Sequence, residues 1–140
     1  MNGDRPYLDS SAIVKLVVEE PESSPLRAWI EQTQDHTSSA LARTEVLRAV
    51  RRLGPADVER ARSALHGIDL IAIDEAQLEV AALLEPTALR TLDAIHLAAA
   101  LTLGDELLAI VTYDERMAEA ARALGLPVAQ PGIDETERER

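Results

Sequence analysis

The sequence has no cysteine and no phenylalanine, and its aromatic residues are Tyr7, Trp29 and Tyr113 alone. Without thiols, disulfide bonds and thiolate zinc sites are excluded, so any metal has to be held by oxygen or imidazole. With so few rings, readout of nucleic-acid bases by stacking has little to work with. Positive charge is scarce too: 14 Lys and Arg face 25 Asp and Glu for a net charge of −11, and Lys15 is the single lysine. Affinity for a phosphate backbone rests on basic residues displacing counterions, so this balance argues against a general nucleic-acid binder. Long apolar runs are also missing. No stretch without a charged residue is longer than that from Ala94 to Gly104, short of the roughly 18 apolar residues that a membrane span needs. Met1 to Pro6 carries no apolar signal-peptide core, so the expected location is cytoplasmic.

What is present is a chain of 140 residues, 46% apolar. A domain of that size buries roughly 70% of its unfolded surface, enough for one core. The expected organisation is one domain over residues 1–131 followed by a charged tail over 132–140. Charge is unevenly placed: part of the negative excess lies from Asp134 onward, whereas Arg43 to Arg52 holds four arginines against Glu45.

Hydrophobic periodicity predicts alternating strands and helices. Pro6 to Leu8 reads as a strand, and Asp9-Ser10-Ser11 is a helix-start signal before an apolar run to Val18. Pro25 marks a first helical turn ahead of Leu26 to Thr33, and His36 to Ser39 reads as a short strand. Apolar residues at 42, 46, 49, 50 and 53 predict a helix over Leu41 to Leu53, stopped by Gly54-Pro55. Pro55 to His66 is a helix capped by Gly67, Ile68 to Ile73 a strand, and Asp74 to Glu85 a helix stopped by Pro86. Asp93 begins a helix running to Leu103, Leu107 to Thr112 is a buried strand, Glu115 to Leu124 a helix, and Pro127 to Ala129 a last strand. This alternation predicts an α/β sandwich around a mostly parallel sheet.

In open α/β sheets, ligands gather beyond the carboxyl ends of the strands, near a switch in strand order. Asp9 and Asp114 follow predicted strands, Asp93 opens a helix, and Glu45 borders the apolar stripe of its own helix. Convergent carboxylates repel one another unless a cation neutralises them. A hard cation such as Mg²⁺ or Mn²⁺ takes oxygen ligands and promotes phosphodiester hydrolysis. Singly, these acids also have ordinary explanations: Asp9, Asp93 and Asp114 as helix caps, Glu45 as a partner of Arg48 or Arg52.

The segments Tyr7-Leu8-Asp9-Ser10-Ser11-Ala12-Ile13-Val14-Lys15-Leu16, Arg43-Thr44-Glu45-Val46-Leu47-Arg48-Ala49-Val50, Leu92-Asp93-Ala94-Ile95-His96-Leu97-Ala98-Ala99-Ala100 and Val111-Thr112-Tyr113-Asp114 together resemble PIN-domain ribonucleases of the VapC toxin type. Their order and spacing agree across nearly the whole chain, with the acid in place in each segment. The resemblance implies a three-layer sandwich, a parallel sheet flanked by helices. It implies a Mg²⁺ or Mn²⁺ site on Asp9, Glu45, Asp93 and Asp114, and cleavage of RNA that leaves a 5′-phosphate and a 3′-hydroxyl. Asp9 and Asp93 correspond to the principal metal ligands, Asp114 to a third, directly or through water, and Glu45 to a ligand or the base for the attacking water. Thr112 matches a hydroxyl that supports the site. A homodimer and a cognate antitoxin that holds the enzyme inactive are implied as well.

Other residues are open to two readings. His96 follows Asp93 by one turn, but hard cations prefer oxygen, so packing or hydrogen bonding nearby is expected of it. Ser10 and Ser11 either orient metal waters or cap the first helix. Arg43, Arg48, Arg51 and Arg52 spread around more than one helix face, so most are expected on a solvated surface, with one or two available to guide phosphates toward Glu45. Two rival functions remain. A phosphoaspartate enzyme would use Asp9 but needs a lysine near the phosphoryl group, and Lys15 sits inside the first helix. A catalytically inactive binding module would use the acidic pocket to accept a basic peptide.

Overall fold

The structure, a computed structural model, describes residues 3–133; the expected charged tail lies, from residue 134 on, outside the described residues. The strands are β1 (Arg5–Leu8), β2 (Thr37–Ser39), β3 (Asp69–Ile71), β4 (Leu107–Val111) and β5 (Val128–Ala129). Between them run α1 (Ser10–Val17), α2 (Ser23–Glu31), α3 (Leu41–Val50), α4 (Pro55–His66), α5 (Glu75–Leu83), α6 (Thr91–Leu101) and α7 (Glu115–Ala123). The sheet has the order β3-β2-β1-β4-β5, and every pairing in it is parallel. A parallel ladder has to be reached by crossovers, and these place helices on both faces.

Alternation along the central strands divides the core in two. Leu8 and Val111 face one side with Ala12, Ile13, Leu26, Val46, Val50 and Leu65, the inward residues of α1 to α4. Tyr7 and Ile110 face the other, with Leu97, Ala99 and Ala100 of α6 and Met117, Ala120 and Ala121 of α7. Successive strand side chains point to opposite faces, so the pleat alone accounts for this division. Many of the core positions on α6 and α7 are alanines, which let helices lie close to the sheet where larger side chains would hold them off.

Three expectations need correcting. The helix expected over Leu41 to Leu53 ends at Val50, and Arg51–Leu53 tightens into a 3₁₀ turn before Gly54, whose φ of 120° only glycine adopts readily. The strand expected over Ile68 to Ile73 shrinks to Asp69–Ile71, because this edge strand pairs only with the three residues of β2. Beyond it, the Ala72 carbonyl instead accepts a hydrogen bond from Gln77 Nε2 at 2.8 Å. Finally, Asp93 does not begin α6. The helix starts at Thr91 with extended Arg90 as its cap, so Asp93 lies within the first turn, where a carboxylate interacts favourably with the helix dipole.

Between β1 and β4 the direction of winding reverses: β1 leads leftward to β2 and β3, and β4 leads rightward to β5. This is the switch point where a ligand cleft opens beyond the strands' carboxyl ends. Leu97 is fully buried on the face shared with β4. Leu97→Ala is expected to lower stability by about 2–5 kcal/mol, the range for truncating a buried leucine. Urea unfolding midpoints check this, and an unchanged midpoint would mean that α6 does not pack as described.

Candidate active site

The register of the central pair, with Leu8 opposite Val111, brings the two strand exits together. Asp9 follows β1, and its backbone N–H still donates to the Val111 carbonyl at 3.1 Å. Its carboxylate is buried at the start of α1, where Oδ1 accepts from the Ala12 N–H at 3.0 Å and the Ser11 hydroxyl at 2.6 Å. Oδ2 accepts from the hydroxyl of Thr112. Thr112 in turn accepts from the Asp114 N–H at 3.1 Å, and Ser11 accepts from the Tyr113 N–H at 3.0 Å. Asp9 therefore does cap a helix, as its type suggests, while its second oxygen is tied to the exit of β4. Burial pushes its carboxyl above the ordinary aspartate range; the Ser11 and Thr112 hydroxyls and nearby His96 pull the other way without cancelling the effect.

Glu45 on α3 reaches the same cavity. Its Oε1 accepts from the Ser10 hydroxyl at 2.6 Å and from His96 Nε2 at 2.6 Å. A carboxylate only accepts, so Nε2 carries the proton; in the neutral ring, Nδ1 then accepts from the Tyr7 hydroxyl at 2.7 Å. Burial also pushes the Tyr7 phenol well up, which keeps it a donor. For Glu45, burial raises the carboxyl, but hydrogen bonds from His96 and Ser10 outweigh it, and the net shift is downward. His96, expected to hydrogen-bond nearby, orients Glu45 and keeps it ionised.

Asp93 and Asp114 come from the first turn of α6 and from the residue capping α7. Asp114 Oδ1 accepts from the Arg116 and Met117 N–H groups at 2.9 and 3.4 Å. The Oδ2 atom of each meets a residue that sequence reasoning did not single out. Arg90 Nε donates to Asp93 Oδ2 at 3.0 Å, and Arg90 Nη2 donates to Asp114 Oδ2 at 2.6 Å. Each acid thus has polar partners that ease the repulsion expected among the four: one pair shares Arg90, Glu45 has His96 and Ser10, and Asp9 has two hydroxyls and a backbone N–H. The signal available in the sequence was the Arg90–Asp93 spacing, which brings the two together across one helical turn.

The four acids, Ser10, Ser11, Arg90, Thr91, Leu92 and His96 line one cavity of about 340 Å³. Thr112 lies directly beneath Asp9, fully buried. Arg43, Arg48, Arg51 and Arg52 are all exposed, and none of them lines the cavity. Among the described residues, no three His, Asp or Glu side chains lie close enough to share one metal ion as they stand. The donor set nevertheless suits a hard divalent cation: it is all oxygen, both His96 nitrogens are engaged elsewhere, and Arg90 already supplies a positive charge between two of the carboxylates.

A parallel sandwich with carboxylates at its switch point defines a class, and the chain belongs to the PIN-domain family, whose pattern matches residues 7–123. Within that family it is a VapC-type ribonuclease. Ribonuclease VapC46 of Mycobacterium tuberculosis (strain ATCC 25618 / H37Rv) is 50% identical over 125 residues, which cover 89% of this chain and 96% of that protein. Two solved structures share the fold. The sarcin-ricin loop cleaving toxin VapC20 of Mycobacterium tuberculosis superposes with a TM-score of 0.72 at 16% identity, covering 90% of this chain and 99% of its own. A toxin-antitoxin complex from Klebsiella pneumoniae gives a TM-score of 0.68 at 23% identity, covering 90% and 97%. Dependence on a divalent metal is general among PIN ribonucleases. The phosphoaspartate alternative fails on geometry as well: Lys15 Nζ pairs with Glu20 and Glu22 at 3.5 and 3.3 Å and does not line the cavity.

The raised carboxyl of Asp9 has a pH consequence. The folded state binds its proton more tightly than the unfolded chain does, so this group's contribution to stability falls as pH rises through the raised value. Asn at this position keeps the cap to Ala12 but does not titrate. In chelator, the stability of Asp9→Asn relative to the parent is expected to grow as pH rises from about 4, the ordinary aspartate value, toward neutrality. Denaturant midpoints across that range test this, and a gap that is flat or narrows with rising pH contradicts it.

Proposed function

We propose that this chain is the toxin of a toxin-antitoxin pair, an endoribonuclease that uses Mg²⁺ or Mn²⁺ to hydrolyse RNA phosphodiester bonds at the cavity formed by Asp9, Glu45, Asp93 and Asp114. The observation that carries this reading is the convergence of those four acids on one cleft at the switch point. Asp9, Asp93 and Asp114 would hold the cation, with Thr112 fixing the orientation of Asp9. Bound there, a divalent cation supplies Lewis acidity toward the phosphodiester and lowers the pKa of water. Glu45, kept ionised by its hydrogen bonds from His96 and Ser10 through Oε1, accepts the proton of the attacking water on its other oxygen. Direct attack by water on phosphorus, with the 3′-oxygen leaving, yields a 5′-phosphate and a 3′-hydroxyl.

The proposed inhibitor is a cognate antitoxin that places a basic side chain among the carboxylates, since an arginine fork matches paired carboxylates and competes for the same oxygens. The fold shared with a chain of the toxin-antitoxin complex from Klebsiella pneumoniae supports an antitoxin as partner. The proposed assembly is a homodimer, supported by an apolar surface on α5 and the start of α6, where Leu78, Val80, Leu83 and Leu92 are exposed and Leu83 is 79% accessible.

Purified protein free of any partner is expected to cut single-stranded or loop RNA in Mg²⁺ or Mn²⁺ and to lose this activity in chelator, with sequencing of the RNA ends locating the cuts. Asp9→Asn and Asp93→Asn should remove most turnover with the fold intact, and Glu45→Gln should cost about 10²–10⁴-fold, as for loss of a general base. Cleavage undiminished by chelator would refute the mechanism. For the assembly, light scattering should show a dimer that Leu83→Glu converts to monomer; a monomeric parent would remove the homodimer from the proposal.

A further inference from the structure

Among the described residues, Arg90 is the one arginine or lysine that lines the acid cavity. It also lines the adjoining groove of about 750 Å³, together with Leu89, Asp93, Arg116, Glu119 and Leu124. One guanidinium there spans carboxylates from two elements, Asp93 on α6 and Asp114 at the head of α7. The side chain is 54% exposed, whereas Asp93 and Asp114 are 15% and 28% exposed. An ion pair with so exposed a partner is weak and is given up readily to a stronger competitor. A divalent cation is such a competitor, because it needs the same oxygen lone pairs. The arginine fork, once free, matches the two oxygens of a phosphate as well as it matches carboxylates.

Resting on the reading of the cavity as the metal and RNA site, we propose that Arg90 is an exchangeable cation. It clamps Asp93 to Asp114 while metal is absent, and when a divalent cation takes those oxygens it swings to the cavity mouth and holds an RNA phosphate. Placement supports both positions: the side chain projects from the extended residue that caps α6, on the wall shared by cavity and groove. Charge favours the second position. In a chain of net charge −11, a phosphate approaching four carboxylates finds no other arginine or lysine among the described residues of the cavity wall.

The test compares the parent with Arg90→Gln and Arg90→Lys. Calorimetric titration with Mn²⁺ alone, without RNA, is expected to show tighter binding in both variants, because neither can span the two carboxylates. For Arg90→Gln, the gain should be on the order of tenfold, the effect of removing one competing charge at close range. Anisotropy of a mixed-sequence single-stranded RNA oligonucleotide in Ca²⁺ should show the opposite sign: binding by Arg90→Gln is several-fold weaker, while Arg90→Lys, which keeps the charge, stays closer to the parent. In chelator, the parent and Arg90→Gln should bind the oligonucleotide alike. Melting in saturating Mn²⁺ should be the same for all three, with the variants lower only in chelator; a loss of stability equal in both conditions would make Arg90 merely structural and overturn the proposal. If the parent binds Mn²⁺ but Arg90→Gln binds it no tighter, or if RNA binding is unmoved, the exchange is wrong while the assignment of the cavity stands. If the parent itself binds no divalent metal, the assignment of the cavity is what fails.

Discussion

The pairing of Leu8 with Val111 decides where the acidic cleft can exist. Because β1 and β4 are neighbours whose chains leave in opposite directions, their exits face each other with no helix between them, and Asp9 meets Thr112 across the gap. A shift of one residue in this register would turn Tyr7 and Leu8 to the wrong cores and point Asp9 away from Thr112. The hydrophobic cost of that slip is large, since Tyr7, Leu8, Ile110 and Val111 are all essentially fully buried. The two apolar cores therefore hold the catalytic register, and the polar bonds at the strand exits refine it.

Placing four carboxylates around one cleft raises a second constraint, and the protein answers it differently for each. Asp9 is desolvated and satisfied by uncharged donors, which leaves it an expensive anion. Glu45 is partly exposed and held by an imidazole and a hydroxyl, which make ionisation easy. Asp93 and Asp114 share a guanidinium. Such unequal environments give chemically identical groups different readiness to bind a cation or a proton, the usual route by which carboxylates in one site take separate roles.

Most of this was legible in the sequence, for identifiable reasons. Asp9 and Asp114 follow short apolar strands and precede helical periodicity, so their position at strand exits could be read directly. Glu45 was legible because the apolar stripe of α3 through Ala42, Val46 and Val50 fixes which side of the helix it borders. Strand lengths were not, because the length of β3 depends on its neighbour β2 and not on the apolar run from Ile68 to Ile73. The start of α6 was also misplaced: Asp is so common a cap that Asp93 concealed Arg90, whose role depends on a carboxylate 24 residues away in the chain. The pairing of His96 with Glu45, 51 residues apart, is likewise a product of tertiary structure.

An acidic ribonuclease has to solve a problem that a basic one does not. Its overall field repels RNA, so long-range steering cannot supply the encounter, and attraction must come from charges that act only at close range. The exposed arginines at 43, 48, 51 and 52 stand outside the cleft, where screening at physiological salt limits their reach to about 8 Å. Within the cleft, positive charge comes from Arg90 and from whatever cation the carboxylates take up. On the proposed reading, binding of metal and of phosphate would be coupled, since the negative wall that attracts the first repels the second until it is neutralised. If the cleft takes up metal as proposed, such coupling would favour RNA cleavage only with metal bound, and would leave the metal-free acids to a basic partner that offers the same charge in another form.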